Sequence, residues 1–506
     1  MEKEEYERKD SRVRALYEWQ EKNAALSHAA ALLEYDGATG APAGTDGNRA
    51  RTEAYLAGEM YRLGADSSFR ALLSELEKDP SGLSEAERRM VVLLGKEARQ
   101  MEKIPKEEYV AYRTLKVRSS AAWHRAKESS DFSLFRPYLE QVFAYERRFA
   151  SYLEPDKDPY GHCLENFEEG LSVGTLDRFF ARLRDGIVPL IREISKKAPL
   201  DDSLRHGQFP KEAQRGLALD VMRVMGLDSG HVGLSETEHP FTTSLGSHLD
   251  TRITTHYYPG DFACSLFSVM HEGGHALYET GVDEAYLYTV LDGGAAMSIH
   301  ESQSRFYENR LGRSRAFCRY LFPVLCKWFP EQMKGKTDEE LYRAVNKVQP
   351  SFIRTEADEL TYCMHVMVRY ELERRVFEGD LAPSELPAAW NDLYAKYLGI
   401  VPPNDRLGVL QDSHWSSGLV GYFPSYALGN AYGAQFCAVM QKEVDVDGCM
   451  EKGDFSPVNA WNREHIWKYG RLYSPSELFE KVTGEAFDPC YYVEYLQKKY
   501  SELYGL

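Results

Sequence analysis

Apolar residues recur along this chain mostly with a helical period. In TLDRFFARLRDGIVPLIREISKK, from Thr175, the positions Leu176, Phe179, Phe180, Leu183, Ile187, Leu190, Ile191 and Ile194 fall on one stripe. That spacing predicts a helix with one face against a core. Similar patterns predict helices over 84–103, 106–127, 314–328, 351–378 and 489–503. The Gly/Ala/Pro-rich stretch 36–48 reads as a loop. No repeat, low-complexity tract or Ser/Gly linker divides the chain. One stretch breaks the rule: HPFTTSLGSHLDTRITTHYYP (239–259), rich in Thr, Tyr, Phe and Ile around Gly246, predicts two short strands joined by a turn. A small sheet among helices offers an edge on which an extended peptide can pair.

The segment after this hairpin carries the chemistry. In PGDFACSLFSVMHEGGHALYETG, Asp261 is placed as an N-cap and Gly281 as a stop, with Ala263, Leu266, Phe267, Met270, Gly274, Leu277 and Tyr278 on one face. His271 and His275 are four residues apart, about 40° around a helix, so their imidazoles can share one cation. Glu272 lies about 60° from His275, able to address a water at the ion rather than the ion itself. Gly273 and Gly274 each cost roughly 1 kcal/mol inside a helix, which points to close backbone approach there. A catalytic zinc site needs a third protein ligand. Glu301 lies 26 residues after His275, and His300 and Glu308 are its rivals. Glu301 and Glu308 share a helical face, so periodicity alone does not choose between them.

Composition narrows the classes. The 506 residues include 61 basic and 78 acidic side chains, a net charge of −17, which disfavours nucleic acid and anionic membrane surfaces as partners. The eight cysteines form no CxxC pair and read as reduced thiols. The N-terminal MEKEEYERKDSRVRALYEWQ lacks the apolar core of a secretory signal, and no run of eighteen apolar residues occurs. These features predict a cytoplasmic enzyme or binding protein.

Six short motifs occur in order: HPF (239–241), D-x-R-x-T (250–254), HEGGH (271–275), HESQ (300–303), IRTEAD (353–358) and GVLQDSHW (408–415). With GYFPSYALGNAYGAQ (421–435), they resemble the M32 metallocarboxypeptidases, the carboxypeptidase Taq family. EYDGATGAP (34–42) departs from the family pattern, with Tyr35 and Ala41 where Trp and Met are expected. The resemblance implies a mainly α, saddle-like zinc-peptidase fold related to neurolysin-type oligopeptidases, with a long deep groove, a small sheet near the active site and usually a homodimer. The whole chain, 1–506, would be one catalytic domain, with a helical part over about 1–235 as a groove wall and a metal-site part over about 236–506.

The resemblance also implies that His271, His275 and Glu301 bind one Zn²⁺, or Co²⁺ by substitution, and that Glu272 is the base. Peptides would lose C-terminal residues by attack of an activated water, with broad specificity. His239, His414 and Tyr422 are candidate donors to the developing oxyanion, with Tyr426 a weaker one. Arg252 and Arg354 are candidate anchors for the substrate carboxylate, Arg354 favoured as the residue that opens a helix. Gln411 and Trp415 are expected in the groove wall. Two rival readings are an endo-acting oligopeptidase with the same metal site and a non-catalytic helical peptide-binding protein; the latter has no use for Glu272.

Overall fold

The helical stripes fold close to their expected bounds. In the computed structural model, which describes residues 10–506, they become helices Glu85–Lys103, Lys106–Ser129, Val173–Ile194, Arg315–Trp328 and Cys490–Tyr504. Residues 1–9, the start of the polar N-terminal stretch, lie outside the described residues. Local capping explains the sharp starts. Ser84 and Glu87 form a capping box, and Ser172 and Ser314 accept hydrogen bonds from amides of their first turns. Every residue of the 175–197 stripe except Leu190 is buried.

Two segments differ from expectation. The 36–48 stretch is not all loop: helix α1 (Ser11–Thr39) runs into it, a short 3-10 turn follows at Ala43–Thr45, and the next helix begins at Asp46. The 351–378 stretch is not one helix. Asp358 caps helix α4 (Glu359–Glu378) by accepting from the Thr361 amide, and Arg354 lies before it in a 3-10 turn, Arg354–Glu356. Arg354 therefore opens no α-helix.

The hairpin is present with a strand the sequence reading missed. Strands β1 (Val232–Glu236), β2 (Thr242–Ser244) and β3 (Thr251–Thr255) form a sheet in the order β1-β3-β2. β3 pairs parallel with β1 and antiparallel with β2. β2 is thus an edge strand, and it packs on the helix that follows the sheet. That helix, α2 (Phe262–Thr280), packs in turn on α3 (Met297–Arg305), and α3 packs on α5 (Phe423–Met440). One large apolar cluster runs from Tyr112 to Tyr504 around these elements. The helices before residue 100 form a smaller cluster that meets the rest through Leu291 and Leu472. Among the described residues, no helix is long and apolar enough to cross a membrane, and all eight cysteines are free thiols.

Candidate metal centre

Helix α2 starts at Asp261, whose carboxylate accepts from the Ala263 amide, and ends at Gly281, as its sequence predicts. One of its two central glycines meets backbone directly. A Cβ on Gly274 would lie 2.8 Å from the Gln303 carbonyl oxygen and the Ser304 Cα of α3. Gly273 faces side chains only, Met225 and Leu227. On the opposite side of α3, Gly429 of α5 would place a Cβ 2.6 Å from the Glu301 Cβ. Glu301 is therefore held between two helices that approach as closely as glycine allows.

This packing brings three ligand atoms together. Glu301 Oε2 lies 3.6 Å from His271 Nε2 and 3.5 Å from His275 Nε2. A tetrahedral Zn²⁺ with bonds of about 2.0–2.1 Å sets its ligand atoms roughly 3.3–3.4 Å apart, so the donor set fits such an ion in spacing and in chemistry. His271, His275 and Glu301 are the group whose ligand atoms all fall within 4.8 Å of one another.

The outer contacts fix the ring orientations. His271 Nδ1 lies 2.9 Å from Glu308 Oε2. His275 Nδ1 lies 2.6 Å from His300 Nδ1, and His300 Nε2 lies 2.6 Å from Glu279 Oε1. The rival ligands His300 and Glu308 thus stand behind the two imidazoles and leave both Nε2 atoms facing Glu301. Glu308 belongs to a π-helical turn, Phe306–Leu311, whose wider spacing rotates it off the face used by Glu301. Arg305 bridges Glu301 and Glu308 at 2.7 and 3.0 Å, and Arg313 reaches Glu308 at 3.1 Å.

These contacts set the charges. Burial works against ionisation of Glu301, but Arg305 and His271 outweigh it and hold the carboxyl well below its usual range. Burial pushes His275 down to about 3, so its imidazole stays neutral and able to ligate. Burial also opposes protonation of His271, but Glu301 and the hydrogen bond to Glu308 raise it overall. Partners of this kind typically carry 10–100-fold in metal affinity. Glu308→Ala is therefore expected to weaken metal binding by about 10–100-fold while helix content stays intact, as read by competition with a chromophoric chelator.

Glu272 is buried beside the ligands, and Thr242 of β2 donates to its Oε2 at 2.6 Å. Burial raises its carboxyl above the ordinary range. Tyr422 and Tyr426 stand at the start of α5, their rings 5.2 Å apart. Burial and the Glu301 charge push the Tyr422 hydroxyl up to about 12. Tyr426 Oη lies 3.2 Å from His414 Nε2. His414 Nδ1 is buried without a partner, and burial lowers this ring to about 4, so it is neutral near pH 7.

The two motif arginines occupy different surroundings. Arg354 is buried. Its Nε and Nη2 donate to Asp412 at 3.1 and 3.0 Å, its Nη1 to Tyr362 at 3.2 Å, and its guanidinium lies 4.7 Å from the Tyr426 ring centre. Arg369, fully buried, donates to the same Asp412 at 2.7 Å. Two guanidinium groups on one carboxylate leave one positive charge uncompensated within this trio. Asp358, four residues on, forms no ion pair with Arg354 among the described residues and is occupied as the α4 cap. Arg252 of β3 pairs with Asp250, which lies just ahead of that strand, and stands 5.7 Å from the Tyr35 ring centre of α1. It makes no contact with the metal group. His239 is exposed, and no hydrogen bond ties it to the centre among the described residues.

Gln411 and Trp415, expected in the groove wall, are both buried. The Gln411 side-chain Oε1 accepts from the Arg354 backbone amide at 2.9 Å and Arg369 Nη2 at 2.7 Å, so Gln411 braces the arginine pair from within. Trp415 is 4 % exposed and donates to buried Glu373 at 2.6 Å. Asp412 and Thr242, which the sequence reading missed, sit inside or beside motifs it had singled out. Their signal was proximity to those motifs, but only the fold shows which residue each one meets.

Comparison with known proteins agrees with this architecture. The sequence model of the Carboxypeptidase Taq (M32) metallopeptidase family matches residues 15–500. Carboxypeptidase 1 of Bacillus subtilis (strain 168) is 40 % identical over 482 residues, covering 95 % of this chain and 96 % of that protein. Thermostable carboxypeptidase 1 of Thermus thermophilus is 37 % identical, covering 97 % and 98 %. The crystal structure of the M32 carboxypeptidase from Deinococcus radiodurans R1 superposes with a TM-score of 0.95 at 38 % identity, covering 98 % of this chain and all of that one. Matching sequence over nearly its whole length, and sharing that fold, this chain belongs to the M32 family of metallopeptidases, the carboxypeptidase Taq family.

Proposed function

We propose that this metallocarboxypeptidase uses one Zn²⁺ per chain, held by His271, His275 and Glu301, to release C-terminal amino acids from peptides. The observation that carries the reading is the convergence of both Nε2 atoms on Glu301 Oε2, with Glu272 alongside. When bound, the ion supplies a Lewis acid that activates a water and polarises the scissile carbonyl. The chain does the rest. Thr242 engages Glu272 Oε2, which leaves Oε1 to take the proton of the attacking water and pass it to the leaving amine. Tyr422, Tyr426 and neutral His414 are our choice of donors to the developing oxyanion. An extended substrate pairs along the open edge of β2.

Exopeptidase action requires a cation for the terminal carboxylate, and Arg354 is our choice. Its trio with Asp412 and Arg369 carries a net positive charge and stands against Tyr426, whereas Arg252 is already neutralised by Asp250. Arg354→Ala leaves Asp412 paired with Arg369, so the fold should persist. The expected loss is about 2–4 kcal/mol in kcat/KM for free-acid peptides, since a charge-assisted contact goes in a partly dry site. For the same peptides amidated at the C-terminus the loss should shrink. An unchanged acid-to-amide ratio would place the anchor elsewhere and favour the endo-acting reading. Eight free thiols support a reducing, cytoplasmic setting, and the family resemblance supports a homodimer, which light scattering tests directly.

A further inference from the structure

The π-helical turn that carries Glu308 also carries Arg310, and Arg310 borders a second cavity. This cavity, of about 520 Å³, lies between helix Arg315–Trp328, α5 and helix Cys490–Tyr504, and none of its lining residues belongs to the metal group. Lys498 stands exposed at the rim, and the other cations around the cavity apart from Arg310 are already spent. Lys499 donates to Glu359 at 2.6 Å, Arg315 pairs with Glu339 and Glu502, and Arg319 pairs with Glu451. Arg310 is different. Among the described residues no carboxylate forms an ion pair with it, and its Nη1 is buried without a hydrogen-bond partner. Its guanidinium lies 3.9 Å from the centre of the Tyr495 ring. Asp447 and Glu494, which also line the cavity, are exposed.

A largely buried guanidinium with no carboxylate in ion-pair contact is costly, and its fork of donors matches an oxyanion. Flat stacking on an aromatic face leaves the edge donors of such a group free to point into an adjoining space. We propose that this cavity is a binding site for a small oxyanion, a carboxylate or phosphate group seated against Arg310 over Tyr495. The site is separate from the carboxylate anchor at Arg354 and does not depend on it.

The test is calorimetric titration of inorganic phosphate, and separately of acetate, into the holoprotein, using wild type, Arg354→Ala and Arg310→Gln. We expect saturable binding of at least one probe at one site per chain in wild type and Arg354→Ala. In Arg310→Gln it should weaken by roughly ten- to a hundredfold, the usual loss for a hydrogen bond to a charged group. Tighter phosphate would identify a phosphate site, and tighter acetate a carboxylate site. Should Arg310→Gln fail to fold, Ala438→Trp fills the cavity from the α5 wall and should abolish the same binding. No saturable binding of either probe in wild type, or equal binding in Arg310→Gln or Ala438→Trp, overturns the proposal.

Discussion

Glu272→Gln is expected to keep its metal and lose its catalysis. The side chain is 7 % exposed and its Oε2 is held by Thr242 at 2.6 Å. A glutamine of the same shape can still accept that hydrogen bond, so the helix and the ligands on either side should not move. What disappears is the group that takes a proton from the attacking water. Proton transfer of this kind contributes about 10²–10⁴-fold, and here the same group also prepares the nucleophile. Metal occupancy near wild type, with kcat lower by at least about 10²-fold, is the predicted pair of results. Release of the metal by this substitution would make Glu272 a ligand.

The second large effect belongs to Glu301. Glu301→Ala should lower metal affinity by more than the roughly 10–100-fold expected for Glu308→Ala, because it removes a ligand and not a supporting contact. The comparison is clean because Arg305 keeps its contact with Glu308 in the Glu301 variant. Equilibrium dialysis of the two variants side by side reads the difference. Equal losses would mean that both carboxylates act through the imidazoles and that neither is the third ligand.

What the sequence could show was set by the range of each interaction. The limits of α2 were legible because caps act within a turn: Asp261 and Gly281 announce them. The glycine pair announced a close approach, and α3 supplies it at Gly274. The choice among Glu301, His300 and Glu308 was not legible from spacing, since a π turn changes the angular register without a mark in the pattern. The resemblance to known motifs favoured Glu301, and the geometry is consistent with it. Arg354 was misplaced for a related reason. Its segment has helical spacing, yet Asp358 caps a later start, and its true partner Asp412 lies 58 residues away. Gln411 and Trp415 fall within a motif, and motif membership does not separate a groove wall from the layer that supports it. β1 escaped notice because VGLSE is short, contains glycine and pairs with a strand beyond the next turn.

The most direct test strips the metal with a chelator, returns Zn²⁺ in substoichiometric steps, and follows hydrolysis of one N-blocked dipeptide beside its C-terminal amide. The account predicts no activity in the stripped protein and a linear recovery that saturates at one Zn²⁺ per chain. The free acid should be cleaved far faster than the amide. Full activity after exhaustive metal removal would contradict it.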